Sequence, residues 1–357
     1  MEPSRIELFG DITILLLIDE SAARPPRLAA AAAGRLAAQL GATVLGASDE
    51  VADEAAWATD GPGRILLRAE STSVAPPTAV EGINVVRVVA DPWHNEATLF
   101  AAAGLSELLG DPAGAPQVPA GQWGAMTVGY AVLAALASVR ALALGGEADV
   151  VTVDCVDALR WVNWKAIALA DLDRPITREG ADSAWPILPC VDGHVALVHT
   201  PRDFAAIVAM VDDDRLRADR FARARDRATD PAAYLSIVAE WAAGRTRAEL
   251  DRAFLAHGVP AAAVVSPAEL VDDVMLRHRR AFTSVVVDGC EIPTPVAPVR
   301  VRSEPNPVRQ PGSSTSPAAA ALGSLPLAGV RVLDLGVLTA GAGTSSLLAD
   351  LGAEVIK

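Results

Sequence analysis

The chain opens with Ile12-Thr13-Ile14-Leu15-Leu16-Leu17, an apolar run that leads into Leu36-Ala37-Ala38-Gln39-Leu40-Gly41-Ala42-Thr43-Val44. The same unit returns at the other end, where Val330-Arg331-Val332-Leu333-Asp334-Leu335 leads into Leu347-Leu348-Ala349-Asp350-Leu351-Gly352-Ala353-Glu354-Val355. Six of the nine closing positions are identical. A strand, a helix and a second strand after Leu-Gly-Ala predict a right-handed parallel crossover, the first piece of a doubly wound sheet. So long a period indicates a duplicated domain rather than a solenoid.

The bulk composition indicates a globular protein and argues against a nucleic-acid surface. With 357 residues, of which 51% are hydrophobic, the chain can build two domains plus an extension. Its net charge of -14 opposes nucleic-acid binding, because phosphate recognition needs clustered Lys and Arg. The longest apolar run, Val128 to Leu144, contains Arg140 and is shorter than the roughly 20 residues that span a bilayer. We therefore expect a buried helix there and no membrane partner.

The cysteines are few and widely spaced, which fits a reducing compartment. Cys155, Cys190 and Cys290 form no CxxC pair and have no His at metal-ligand spacing, so no metal site is expected. No basic region precedes an apolar stretch at the start of the sequence, which makes a signal peptide unexpected. These features together predict a cytoplasmic protein.

The first part of the chain alternates β-rich runs with Ala-rich helical stretches, which predicts a large α/β domain over residues 1–184. The predicted strands are Ile12 to Ile18, Ala42 to Leu45, Arg64 to Leu67, Ile83 to Val89 and Val150 to Val153. The predicted helices are Pro26 to Leu40, Glu96 to Leu109, Ala125 to Leu144 and Val156 to Asp171.

Near Trp185 the alternation of β-rich and Ala-rich stretches gives way to a hairpin pattern, which predicts a smaller α+β domain over residues 185–302. It begins with a hairpin whose turn is Val191-Asp192-Gly193-His194 and whose return strand is Val195 to Val198. Helices are predicted at Pro201 to Val211, Pro231 to Ala243, Arg247 to His257 and Pro267 to His278, and strands at Ala261 to Val265 and Ser284 to Val287. Residues 303–324 have the Pro/Ser/Ala composition of a linker, and residues 325–357 are interpreted as the truncated start of a second large domain.

A family resemblance rests on the second copy of the opening unit. The run Pro326 to Leu335, then Ala340-Gly341 and Leu347 to Lys357, resembles the opening of the family III CoA-transferases, the CaiB/BaiF family. The body of the chain is similar to that family in the order of its landmarks. They include Gly104-Leu105, Asp157-Ala158, the hairpin Cys190 to Ala196, Arg247-Ala248-Glu249-Leu250 and Gly258-Val259-Pro260.

The resemblance implies a fold, a reaction and partners. The fold is a doubly wound, Rossmann-like large domain that holds coenzyme A, with a smaller α+β domain and an interlocked dimer. The reaction transfers CoA from an acyl-CoA to a carboxylic acid through an enzyme aspartate that attacks the thioester carbonyl and forms an anhydride. The implied partners are acyl-CoA, a carboxylic acid, and either a second copy of this chain or an intact CoA-transferase copy.

The aspartate that this mechanism needs has no counterpart in the sequence. Counting back from the apolar helix that ends Ala134-Ala135-Leu136 places the family position at Gly121 or, with a shift of one residue, at Ala120. Neither side chain can act as a nucleophile, and no carboxylate occurs between Asp111 and Glu147. We therefore assign no catalytic residue in this chain.

The first strand–helix loop differs between the two copies. In the second copy, Thr339, Ala340 and Gly341 lie in a turn of small residues whose backbone is expected to approach the CoA pyrophosphate at a helix start. In the first copy the equivalent stretch, Asp19 to Pro26, contains two carboxylates and no glycine. The resemblance therefore identifies residues 1–302 as a degenerate N-terminal copy in a tandem member of the family.

Three further features allow a functional and an ordinary interpretation. His94 lies near the position of the catalytic base in acyl-CoA racemases of the same superfamily, but a surface or cap histidine is the favoured expectation. Asp154 and Asp157 flank Cys155 as an acid–thiol pair or, preferably, Asp154 caps a helix. Trp161 and Trp164 are expected to share one helix face and pack in the core, with an adenine clamp as the alternative. Two alternative functions stay open, acyl-CoA racemase or isomerase and a non-catalytic partner subunit.

Overall fold

The computed structural model describes residues 13–19, 22–40, 42–46, 64–74, 84–119, 123–144, 150–173, 178, 185–296, 325–336 and 339–357. Two compact units emerge from the packing of the chain. The first comprises Met1–Ser106, Val118–Pro175 and Val296–Lys357, and the second comprises Glu107–Gln117 and Ile176–Pro295. The predicted linker, residues 303–324, lies outside the described residues.

The first unit is built on a five-stranded sheet. Its strands are β1 (Thr13–Ile18), β2 (Thr43–Gly46), β3 (Arg64–Ser71), β4 (Val85–Ala90) and β5 (Val150–Asp154). All neighbouring pairs are parallel, in the order β2-β1-β3-β4-β5. Because the chain adds strands first to one side of β1 and then to the other, this is a doubly wound sheet whose order reverses between β1 and β3. The predicted α/β class is confirmed.

Apolar side chains in register hold this sheet in place. On one face Leu15 lies beside Leu66, and Leu66 lies beside Val85, in one buried cluster. The opposite face is covered by helix α1 (Arg24–Gln39), whose Gly34 lies over Leu16 and Val44. Strands buried on both faces read as continuous apolar runs, which is why β1 and β4 lack an alternating pattern.

Two of the three helices predicted after β4 and β5 are shorter than the sequence predicted, and the third agrees. Helix α2 is Glu96–Ala102 and is followed by a 3₁₀ turn, Ser106–Leu108, instead of continuing to Leu109. Helix α3 (Trp123–Leu144) agrees with prediction. The helix expected over 156–171 is two helices, α4 (Cys155–Val162) and α5 (Trp164–Asp171).

Asn163 explains the break between α4 and α5. Its buried amide Nδ2 donates to the carbonyl oxygen of Ala103 at 3.0 Å, so the residue bonds to a part of the chain 60 positions away. Gly104 sits against that amide at φ +74°, and a Cβ there would lie 3.1 Å from Asn163 Nδ2. A side chain at position 104 would be strained and crowded. This explains why a glycine precedes Leu105.

The second unit packs helices on a three-stranded antiparallel sheet. Its strands β6 (Ile187–Cys190), β7 (Gly193–Leu197) and β8 (Ala261–Val264) lie in that order. Gly193 already belongs to β7, so the turn is shorter than predicted. The helices are α6 (Phe204–Val211), α7 (Ala224–Thr229), α8 (Pro231–Ala243) and α9 (Arg247–His257), with 3₁₀ turns at Asp214–Arg217 and Asp219–Phe221.

The end of the second unit differs from prediction in two ways. The helix expected over 267–278 is divided into α10 (Pro267–Asp272) and α11 (Val274–His278), because Asp273 adopts an extended backbone and caps the second helix through Leu276 N. The strand expected at 284–287 is β9 (Phe282–Val287), and it pairs with a strand that the sequence analysis missed, β10 (Cys290–Pro295). The two form an antiparallel hairpin.

The repeated opening unit has the same local fold near the end of the chain. Strand β11 (Arg331–Leu333), helix α12 (Thr339–Asp350) and strand β12 (Glu354–Ile356) follow one another, and the two strands pair in parallel. Both repeats are therefore parallel strand–helix–strand units, as their shared sequence predicts.

Candidate functional site

The carboxyl ends of β3, β4 and β5 bring polar groups to one edge of the sheet, the usual place for a site in a doubly wound fold. After β3, the hydroxyl of Thr72 donates to Asp91 Oδ1 in the turn after β4, at 2.5 Å. The buried Arg87 binds Glu70 through Nε at 3.1 Å and donates from Nη2 to the carbonyl oxygen of Val74 at 2.9 Å. These bonds fix the two loops that border the edge.

A carboxylate lies at the start of helix α3 although the sequence offered none there. Glu96, in the first turn of α2, accepts a hydrogen bond from Gly124 N at 2.5 Å through Oε1. Gly124 is enclosed, since a Cβ on it would lie 3.0 Å from Phe100, 3.1 Å from Glu96 and 3.3 Å from Leu159. Sequence reasoning missed Glu96 because the two residues are 28 positions apart and no spacing rule joins them.

Ala120 and Gly121, the positions where the family aspartate is expected, lie outside the described residues. After these positions the described chain resumes at the first turn of α3, whose N–H group at Gly124 is already taken by Glu96. Orphan N–H groups at a helix start are the donors that would bind an anion. At Gly124 this donor serves an internal carboxylate instead.

His94 is not a surface or cap histidine, and that expectation is wrong. It is only 5% exposed, beside the ring of Trp93 with centroids 4.1 Å apart. Both ring nitrogens, Nδ1 and Nε2, are buried with no hydrogen-bond partner among the described residues. The helix cap is the neighbouring Asn95, whose side chain accepts from Ala97 N and Thr98 N. Burying an imidazole without hydrogen-bond partners costs free energy, because its polar nitrogens lose their contact with water. The burial of His94 therefore indicates a role beyond packing.

The Asp154–Cys155 pair is a helix cap and a buried thiol. Asp154 Oδ1 accepts from Val156 N at 2.7 Å and from Asp157 N at 3.1 Å, as predicted for an N-cap. Asp157 points away to pair with Arg160 at 3.1 Å. Burial, reinforced by the charge of Asp154, raises the pKa of the Cys155 thiol far above its ordinary value. A thiol that stays protonated is a poor nucleophile, so the acid–thiol interpretation is wrong.

Trp161 and Trp164 do not pack in the core, contrary to expectation. They lie in different helices, α4 and α5, and are 49% and 47% exposed. The spacing argument failed because the break at Asn163 interrupts the helix that would have placed both rings on one face.

The start of helix α1 is unsuited to binding a phosphate chain. Its first turn consists of Arg24, Pro25 and Pro26, and its N-cap residue makes no side-chain cap bond. The two prolines carry no N–H group, so two of the donors that a helix start normally offers are absent. Both proline rings are buried. Together with Asp19 at the end of the preceding strand, this makes the loop of the first copy a poor pyrophosphate site.

The corresponding turn of the second copy is built differently. Asp334, buried at the end of β11, accepts from Ser345 Oγ at 2.8 Å and from Gly336 N at 2.7 Å, and these bonds lower its pKa, the first more than the second. A Cβ on Gly336 would lie 2.6 Å from the Cα of Gly341, so two glycines let the turn close tightly on the helix. Helix α12 starts at Thr339 without proline, so Thr339, Ala340 and Gly341 keep their N–H groups.

Among the described residues, no helix is long and apolar enough to cross a bilayer. No group of three or more His, Cys, Asp or Glu side chains could hold a metal ion in the part of the chain that the structure describes.

The fold defines an α/β protein with a doubly wound sheet and a smaller α+β unit. The profile described as CoA-transferase family III matches residues 92–313 and 327–357. The chain belongs to this family.

One curated relative is similar to this chain in sequence, and two solved structures share its fold. The relative, a "Probable CoA-transferase Rv1866" of Mycobacterium tuberculosis, is 28% identical over 294 residues, which cover 74% of this chain and 37% of the relative. The chain thus spans a little over a third of that protein. Rv3272 from M. tuberculosis has a TM-score of 0.63 at 17% identity and covers 85% of this chain and 94% of its own. A CaiB/BaiF family protein from Brucella suis has a TM-score of 0.62 at 14% identity, covering 84% and 93%.

Proposed function

We propose that this chain is the degenerate half of a family III CoA-transferase and acts together with an intact copy of the large domain. The reaction is the transfer of CoA between an acyl-CoA and a carboxylic acid. The intact copy supplies the nucleophilic aspartate and the CoA-binding turn, and this chain supplies a sheet and a small domain beside it. A cytoplasmic setting fits the substrates.

The contrast between the two helix starts carries the proposal. Helix α1 begins with Pro25 and Pro26 and therefore lacks two N–H donors, whereas α12 begins behind the Gly336–Gly341 contact with its donors retained. A pyrophosphate needs such donors at a helix start. The absence of a carboxylate at Ala120 and Gly121 points the same way, because acyl transfer through an anhydride requires one there.

Mass spectrometry after mixing the chain with an acyl-CoA and a free acid tests this proposal. We expect no CoA transfer and no covalent CoA adduct on the chain alone. Transfer should appear when the chain is combined with an intact family III copy and should exceed what that copy achieves alone. Turnover by the isolated 357-residue chain would overturn the proposal.

A second candidate function, acyl-CoA racemase or isomerase, is favoured by one observation. His94 is buried near the sheet edge, and both of its ring nitrogens are unpartnered among the described residues. A general base that has not yet bound its substrate has such a free nitrogen. The test is exchange of the α-proton of an acyl-CoA with deuterium. This function requires exchange that is lost in His94→Ala, and absence of exchange in the native chain removes it.

A further inference from the structure

The segment that contains α10 and α11, residues 266–278, has no buried side chain. Leu270, Val274 and Met275 are 36%, 79% and 63% exposed, so the apolar side chains of both helices lie largely outside the core of the second unit. With six and five residues, these helices are far shorter than the roughly 12–15 residues at which an isolated helix becomes marginally stable. The α10–α11 segment therefore depends on contacts other than hydrophobic burial.

One polar contact joins this segment to the rest of the second unit. Arg247, the first residue of α9, donates from Nη2 to Glu269 Oε1 at 2.7 Å. Among the described residues, no other hydrogen bond or ion pair of the α10–α11 segment reaches outside residues 266–281. The bond between Arg247 and Glu269 is therefore the polar anchor of the whole segment.

Arg247 is fixed to the core side of this bond. Its backbone N–H donates to Asp192 Oδ1 at 2.7 Å in the turn between β6 and β7. Its Nη1 donates to the carbonyl oxygen of Val264 at 3.1 Å, at the end of β8. The stem of the side chain lies across Gly193, where a Cβ would be 3.3 Å from Arg247 Cδ. These contacts hold the guanidinium in place independently of the α10–α11 segment.

Glu269 is fixed to the segment side of the bond. Its second carboxylate oxygen, Oε2, accepts from Ser266 N at 2.7 Å, and Ser266 Oγ accepts from Glu269 N at 3.3 Å, which makes a reciprocal cap at the start of α10. Only the bond from Arg247 Nη2 to Glu269 Oε1 crosses from one side to the other. Val265 is the single residue between β8 and the cap, and it is 44% exposed, so the chain is free to turn there.

We propose that Arg247 and Glu269 form an electrostatic latch, and that breaking it releases the α10–α11 segment while the core of the second unit stays folded. The two side chains are 24% and 45% exposed, so dissolved ions reach the bond and screen it. Protonation does not open the latch near neutral pH, because Arg247, and after it Ser266, lower the pKa of Glu269 to about 2. Ionic strength is therefore the variable that opens it. A released segment redirects the chain that leads into hairpin β9–β10.

Hydrogen exchange of the 357-residue chain, read on peptic peptides, tests the latch. Raising the NaCl concentration from about 0.05 M to about 0.5 M should speed exchange of the native 266–278 peptide by about twofold to fivefold, the factor expected when one exposed ion pair is lost. In Glu269→Gln the single amide oxygen keeps the Ser266 cap, and the amide nitrogen cannot accept from Arg247. This variant should exchange at the faster rate at both salt concentrations, whereas peptides from β7 and α8 should keep their native rates.

Glu249→Gln is the matched control. Glu249 occupies the same cap position in α9, where its Oε2 accepts from Thr246 N at 2.9 Å. This variant should leave both the exchange rate of the 266–278 peptide and its salt dependence unchanged. The latch is wrong if Glu269→Gln exchanges no faster than the native chain, or if the two variants speed the segment equally. An equal rise in the β7 and α8 peptides of Glu269→Gln would also overturn it, because the core would then open together with the segment.

Discussion

Gly124, at the start of α3, is enclosed by side chains of neighbouring helices. In an exposed helix, Gly to Ala stabilises by about 1 kcal/mol. Here we expect Gly124→Ala to lower the free energy of unfolding by about 1–3 kcal/mol, because a Cβ meets Phe100 at 3.0 Å and Glu96 at 3.1 Å. Urea unfolding followed by circular dichroism measures the difference.

Gly129 provides the matched control on the same helix. A Cβ there would meet the Ala32 Cβ at 3.4 Å, an ordinary contact, so Gly129→Ala should be neutral or stabilising. If both alanine variants unfold at the same urea concentration, the close packing of Gly124 against Glu96 is wrong.

Glu96 acts as the acceptor for the start of α3 from another helix. Glu96→Ala removes the partner of Gly124 N and should cost about 0.5–2 kcal/mol, as loss of a helix cap does. Glu96→Gln keeps a carbonyl oxygen at the same reach and should recover most of the loss. Thermal unfolding of the three proteins measures this order. A glutamine variant as unstable as the alanine variant would show that charge, and not the acceptor, is required.

The burial of His199, which follows strand β7 and contacts helix α8, makes the second unit sensitive to acid. His199 Nε2 and the hydroxyl of Tyr234 are 2.7 Å apart in the core, and Nδ1 has no partner among the described residues. Burial is the main cause of a lowered pKa at His199, with Arg227 lowering it further and Asp203 opposing both. The folded state therefore disfavours the protonated ring.

The sign of the pH effect follows from this lowered pKa. The unfolded chain binds the proton more readily, so stability is complete above about pH 6.5 and falls as the pH drops towards the folded pKa. Each pH unit between the two pKa values is worth about 1.4 kcal/mol. We expect the urea midpoint of the second unit to be lower at pH 5.5 than at pH 7.5. His199→Gln should reduce that difference, whereas His257→Gln, at an exposed helix end, should preserve it.

Elements with local signals at both ends were predictable from the sequence. Helices Pro231–Ala243 and Arg247–His257 begin and end where predicted. Asp230 caps the first, while Thr246 and Glu249 form a reciprocal cap and Gly258, at φ +66°, ends the second. These signals lie within a few residues of the helix they delimit, so the sequence alone shows them.

Several of the errors lie where distant contacts override local preference. Asn163 ends a helix to reach Ala103, and Glu96 caps a helix that starts 27 residues later at Trp123. The burial of His94 also depends on how the turn after β4 folds, which no periodic pattern encodes. The predicted CoA-binding positions Thr339, Ala340 and Gly341 stay a prediction, supported by their N–H groups at the start of α12.

At the scale of the whole molecule, one sequence pattern has produced the same crossover twice in different settings. The first copy lies within a five-stranded sheet, with β1 paired on both sides. In the second copy, β11 and β12 pair over three residues each and with no other described strand. Large apolar side chains stay exposed there, including Leu333 and Leu335. Strand edges that pair with no other strand leave backbone N–H and C=O groups without partners, so this strand–helix–strand unit is expected to be weakly stable by itself.

This contrast predicts a difference in local stability that can be measured within one sample. Amides of Arg331–Leu333 and Glu354–Ile356 should exchange with solvent at least about a hundredfold faster than those of β3 and β4, because opening the small unit disrupts few buried contacts. Hydrogen exchange of the 357-residue chain, read by mass spectrometry of its peptic peptides, compares them directly. Adding an intact copy of the family's large domain should slow only the terminal peptides if that copy supplies the missing strands. Equal protection of both regions in a monomer would show that the terminal crossover is stable without a partner.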